Sequence, residues 1–153
     1  MMRARTSSPA AGIQGKLVYV GEGLPGKEWG TLTARDVRGQ IAVMEITGGT
    51  ILLEDLTIRH GNQGAGNGGG IMAVTLSSSP QIDLTLDNVL VTRNYAKTYA
   101  GGILAFDDDF GSLTLQNGTV VEGNDCPNQG GGIYFYGTGS LLVDNSSVSN
   151  NRS

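Results

Sequence analysis

The chain has 153 residues, 25 of them glycine, with 39% hydrophobic and 16% charged residues and a formal net charge of −4. This is the length of one domain, with glycine at more than twice the ordinary ~7% and too little charge for charge-driven disorder. Collagen is excluded because no every-third glycine register runs through the chain, and a helical membrane span because no run of ~18 apolar residues exists.

Residues 1–15 read as a flexible N-terminal tail. The opening MMRARTSSPAAG has arginines but no apolar run behind them, so it reads as neither a secretory signal nor an anchor. Leu17 to Val20 is strand-like and runs into Gly21-Glu22-Gly23-Leu24-Pro25-Gly26-Lys27, which matches two phosphate-loop spacings. A phosphate site needs N–H groups converging at a helix N-terminus, and the P-loop also needs Ser or Thr after the lysine. Glu28 stands there instead, and Trp29-Gly30-Thr31-Leu32-Thr33 is β-like, so the segment reads as a turn. Lys16, Lys27 and Lys97 are scattered and form no basic stripe, which argues against nucleic acid as a partner.

From Ile51 onward the chain repeats. ILLEDLTIRHGN from Ile51, LTLDNVLVTRN from Leu84, LTLQNGTVVEGN from Leu113 and LLVDNSSVSNN from Leu141 align, with starts about 30 residues apart, the period of a stacked-repeat architecture. Each of the first three is followed by Gly-Gly-Ile, at Gly69-Gly70-Ile71, Gly101-Gly102-Ile103 and Gly131-Gly132-Ile133. Apolar and polar residues alternate with period two and no helical stripe competes, so each unit reads as short strands joined by turns. Asp55, Asn88, Asn117 and Asn145 fill the turn, where a residue tolerant of left-handed backbone is needed.

A unit of this size cannot bury its apolar side alone, whereas stacked units bury continuous columns. The alignment predicts four: Ile51, Leu84, Leu113, Leu141; Leu53, Leu86, Leu115, Val143; Ile58, Val91, Val120, Val148; and Ile71, Ile103, Ile133. Asp55, Asn88, Asn117 and Asn145 are expected to stack as a structural ladder, amide donor to acceptor.

This combination of L-x-L-x-N-x-x-V, an Asn-containing turn and Gly-Gly-Ile resembles the right-handed parallel β-helix repeat proteins, especially the polymorphic outer-membrane-protein type within the pectate-lyase-like superfamily. The resemblance covers residues 16–153 and implies an all-β, right-handed parallel β-helix (solenoid) of about four to five coils. Those residues form one domain, either complete or a fragment of a longer solenoid. For function it implies an extracellular or cell-surface setting and a choice among adhesins, lyases and hydrolases.

Few residues carry chemistry. Asp107-Asp108-Asp109 is the one dense acidic cluster; adjacent carboxylates on a loop can ligate calcium or act as acid and base in polysaccharide cleavage. Three consecutive side chains point in different directions, so a solvated turn is the simpler reading, and calcium the better of the functional ones. His60 has no neighbouring Cys or second His, and Cys126 has no partner histidine in the repeat register. The N-x-[ST] matches at Asn117, Asn145 and Asn151 read as ladder and turn positions.

After each Gly-Gly-Ile, alternation sends Met72 and Val74, Leu104 and Phe106, and Tyr134 and Tyr136 outward on one stacked face. In the lyases and hydrolases that the fold resembles, this face carries outward Asp, Arg or Lys; here it is apolar and aromatic, and no catalytic residue is carried over. The expectation is a non-enzymatic module that binds protein, including a second copy of itself as a homo-oligomer (dimer), or carbohydrate. The alternative is a lyase or hydrolase of acidic polysaccharide that uses Asp107, Asp108 and Asp109 with calcium; no other cofactor is expected.

Overall fold

The structure, a computed structural model, describes residues 3–5, 14–19, 42–74 and 81–153, with side chains from Gly49 onward apart from 75–80. The segment from Gly21 to Lys27, and residues 6–13 of the expected tail, lie outside the described residues. The strands are β1 (Arg3–Arg5), β2 (Gln14–Tyr19), β3 (Ala42–Glu54), β4 (Thr57–Arg59), β5 (Asn62–Gln63), β6 (Ile71–Val74), β7 (Ile82–Asp87) and β8 (Leu90–Thr92). They continue with β9 (Tyr95–Ala96), β10 (Ile103–Phe106), β11 (Ser112–Gln116), β12 (Val120–Glu122), β13 (Ile133–Tyr136), β14 (Ser140–Val143) and β15 (Ser147–Ser149). Among the described residues there is no helix, and hence none long and apolar enough to cross a membrane.

The chain is an all-β solenoid whose successive turns pair in parallel. One face runs β3, β6, β10, β13, a second runs β3, β7, β11, β14, and a third runs β4, β8, β12, β15. The long β3 serves two faces, its first half pairing with β6 and its second with β7. About three turns are closed, against the four to five that the repeats suggested. The reason lies in the early segments: β1 and β2 both pair antiparallel with β3, so they lie along the first turn instead of forming another one.

Period-two alternation sets the inside and the outside. In β7, Ile82, Leu84 and Leu86 are buried while Asp83, Thr85 and Asp87 are half-exposed. Parallel register then stacks like on like: Ile51, Leu84, Leu113 and Leu141 align, as do Leu53, Leu86, Leu115 and Val143. Each fully buried Leu or Ile contributes roughly 1.5–3 kcal/mol, and the columns form one continuous core through Leu113 and Leu115, while Leu141 and Val143 in the last turn are 44% and 43% exposed. Ile71, Ile103 and Ile133 stack as expected.

The third column needs correction. Ile58 and Val91 stack with Val121, and Val121 with Val148, whereas Val120 faces outward opposite Leu90. Two residues separate Asn88 from Val91, but Gly118, at φ 87°, makes it three between Asn117 and Val121. The extra residue is absorbed in the turn, and the inward parity resumes one position later.

The Gly-Gly pairs are required by the closeness of neighbouring turns. A Cβ on Gly102 would stand 2.4 Å from the Gly132 carbonyl oxygen, and one on Gly101 would stand 2.5 Å from that of Asp125. No side chain fits there without moving the backbone of the next turn.

Asp55, Asn88, Asn117 and Asn145 all have left-handed backbone, at φ 55°, 53°, 53° and 45°. Since a Cβ in that region costs about 1–2 kcal/mol unless the side chain compensates, Asn117→Ala is expected to lower stability by about that amount. Asn117→Gly should stay within roughly 0.5 kcal/mol of the parent. Urea denaturation of the two variants checks the pair, and equal losses would show that the side chain rather than the backbone sets the preference.

Candidate functional site

The outward stripe lies on β6, β10 and β13. Their register places Met72, Leu104 and Tyr134 in one row and Val74, Phe106 and Tyr136 in the next, while Ile71, Ala73, Ile103 and Ala105 fill the interior behind them. Lateral neighbours cover much of the stripe. Leu104, between Met72 and Tyr134, is only 3% exposed, and Met72, Val74 and Tyr134 are half-buried. What faces solvent is chiefly Phe106, 39% exposed, and Tyr136, 48% exposed.

The ring geometry restricts what this surface can hold. Phe106 and Tyr136 stack with centroids 4.9 Å apart and planes 20° apart; Phe106 and Tyr134 lie 6.5 Å apart at 26°. Phe106 and Tyr136 turn one face to each other, while the other side of Tyr136, on the last strand of this face, has no ring partner among the described residues. Tyr99, which the repeat pattern did not single out, joins the group 5.0 Å from Tyr134. Its segment meets the next turn through a lone parallel bridge to Gln129, too irregular to align from sequence.

Asp107, Asp108 and Asp109 form a turn directly after Phe106. The Phe110 N–H donates to the Asp107 carbonyl at 3.2 Å, and the Asp109 N–H donates to the Asp107 carboxylate at 3.3 Å. Asp107 is half-buried and the other two are exposed. Among the described residues no group of three or more His, Cys, Asp or Glu side chains is placed to hold a metal ion.

Asp55, Asn88, Asn117 and Asn145 are exposed turn residues. Asn88 Nδ2 donates to Asp55 Oδ1 at 2.8 Å, but Asn117 Nδ2 donates to Asp87 Oδ2 at 2.9 Å instead of continuing to Asn88. The continuous buried ladder runs elsewhere, through Asn94, Asn124 and Asn151. Asn94 and Asn124 are each 1% exposed. Asn124 Oδ1 accepts from both the N–H and Nδ2 of Asn94, at 3.0 and 2.9 Å, while Asn124 Nδ2 reaches the Val91 carbonyl and Asn151 Oδ1. The signal for these residues was present, because every aligned segment ends in Asn. In the first turn, however, Gly61 rather than Asn62 occupies the position, donating its N–H to Asn94 Oδ1 at 2.9 Å.

The remaining candidates are placed apart. His60 is exposed at φ 61° and donates its N–H to the Arg93 carbonyl, as the turn requires. Cys126 is a free thiol, fully buried. Asp125 pairs with Arg152 on the turn after β12, and this hydrogen-bonded carboxylate raises the Arg152 pKa above its ordinary value. Comparison of the chain with protein-family models, with characterised proteins and with solved structures gives no match.

Proposed function

We propose that the chain is a non-enzymatic interaction module that presents the stripe around Phe106 and Tyr136 to a protein partner. The observation that carries this reading is the exposure of two stacked rings on a sheet face, with buried Ile103 and Ala105 and half-buried Ile133 and Phe135 behind them. A solenoid is suited to the task, since stacked turns hold the face rigid without a substrate cleft. The sequence resemblance to surface β-helix proteins of the polymorphic outer-membrane-protein type points the same way. A carbohydrate ligand is less well supported, because a sugar ring packs on an aromatic face, and Phe106 has Val74 and Tyr136 on its two sides, which leaves one face of Tyr136 for such stacking. Cleavage of an acidic polysaccharide by the Asp107 to Asp109 turn, with calcium, is the less supported enzymatic reading, because those side chains do not converge on a common point.

The test compares the parent with Phe106→Ser/Tyr136→Ser by light scattering after gel filtration, by glycan array, and by assay on polygalacturonate and alginate. The expected result is no glycan bound and no polymer cleaved, with any self-association of the parent lost in the double variant. Dimerisation abolished by the variant would identify a second copy as the partner. Cleavage by the parent would overturn the non-enzymatic reading, and glycan binding lost in the variant would replace protein with carbohydrate.

A further inference from the structure

The acidic turn lies at the end of the aromatic stripe, and it is held rigidly. The Phe110 side chain is 1% exposed and meets Phe135 edge-on at 5.6 Å, which anchors the turn in the core. From the next turn of the solenoid, the Thr138 hydroxyl donates to the Asp108 carbonyl at 2.6 Å and the Thr138 N–H donates to the same oxygen at 3.3 Å. The backbone is therefore fixed while the Asp108 and Asp109 side chains remain exposed. Asp83 adds a fourth carboxylate beside this turn, since its Oδ1 accepts from Ser112 Oγ at 2.7 Å and lies 2.6 Å from where a Cβ of Gly111 would stand.

Among the described residues no cation is ion-paired with this group. The segment that joins β13 to β14, Gly137 to Gly139, contains no Lys, Arg or His. The one ion pair among the described residues joins Asp125 to Arg152 and involves none of these carboxylates. On this face the nearest basic residue in sequence, Lys97, precedes the glycine pair at the opposite end of β10.

An apolar stripe that ends in carboxylates without an ion pair among the described residues is complementary to a side chain with an apolar stem and a cationic head. Lys and Arg lay their methylenes along apolar surface while the charge reaches outward. We infer that the partner of this face is a basic peptide segment, whose apolar residues and Lys or Arg stems cover Phe106 and Tyr136 while its cations meet Asp108 and Asp109. The inference rests on the reading of the stripe as an interaction face. A second copy of the chain fits less well, because it brings the same carboxylates and residues 77–153 carry three Lys or Arg against eight Asp or Glu. Exposed charge pairs steer association and select partners, while buried apolar contact supplies most of the affinity.

The experiment titrates a fluorescein-labelled octapeptide of alternating Leu and Lys with the full chain, at low and high salt, about 50 and 500 mM. A Leu–Glu peptide and a Gly–Lys peptide run alongside. Binding of the Leu–Lys peptide is expected to weaken with salt. It is expected to weaken about tenfold or more in Asp108→Asn/Asp109→Asn and likewise in Phe106→Ser/Tyr136→Ser, with the Gly–Lys peptide binding far more weakly. Glu122→Gln/Asp144→Asn, which removes equal charge from other faces, should stay within about threefold of the parent. The inference is overturned if the Leu–Lys peptide does not bind, if the Leu–Glu peptide binds as tightly, or if the Asp108/Asp109 change leaves affinity intact. Equal loss in the Glu122/Asp144 variant also overturns it, because bulk charge would then explain binding. If only the Phe106/Tyr136 variant loses affinity, the charge argument fails while the interaction face stands; if that variant binds like the parent, the face itself is wrong.

Discussion

Leu86→Asp is expected to unfold the protein. Leu86 is fully buried in a column between Leu53 and Leu115, which are themselves buried, so the new carboxylate would meet only hydrocarbon above and below. A charge there has no partner to pair with, and the loss of the leucine adds the cost of a cavity; together they exceed ~4 kcal/mol. Against a total stability of roughly 5–15 kcal/mol, that removes most or all of the folded population. Thr85→Asp, one residue away, is the control. Thr85 points outward between Leu52 and Thr114, and its replacement should cost less than about 1 kcal/mol. Far-UV circular dichroism with urea titration reads both. If the two variants are equally stable, the inside and outside of the second face have been exchanged.

Asn124→Ala is expected to be nearly as damaging, by a different route. Its side chain is the central rung of the buried ladder, and removing it strands the Asn94 N–H, one Asn94 Nδ2 hydrogen and the Val91 carbonyl. Each buried unsatisfied group costs about 1–3 kcal/mol, so a combined loss of at least about 3 kcal/mol is anticipated. The loss should be local in origin: hydrogen exchange at the Asn94 amide should accelerate more than at Leu84, whose column does not involve the ladder. Equal stability of Asn124→Ala and the exposed Asn117→Ala would show that burial of the amides contributes nothing.

Most of the fold was legible because a stacked repeat writes its own geometry. Period-two alternation chose the inward residues, the common spacing stacked Leu53 on Leu86 on Leu115, and Gly-Gly-Ile marked where neighbouring backbones come too close for a Cβ. The left-handed positions at Asp55, Asn88, Asn117 and Asn145 were likewise legible, because few residue types tolerate that backbone. The orientation of β1 and β2 was not, since a short apolar run such as Leu17 to Tyr19 reads the same in parallel and antiparallel pairing.

The candidate site divides along the same line. The outward direction of Phe106 and Tyr136 followed from alternation, and the acidic turn was visible as three consecutive aspartates. That Leu104 is covered, that Phe110 anchors the acidic turn against Phe135, and that the ladder passes through Asn94, Asn124 and Asn151 depended on contacts between turns. By itself the sequence determined which residues repeat and which face they take, because both follow from local backbone periodicity. Only the tertiary structure decided which asparagines are buried and which rings remain exposed. Burial depends on what the adjacent turn places alongside, and a single inserted residue such as Gly118 changes that without altering the local pattern.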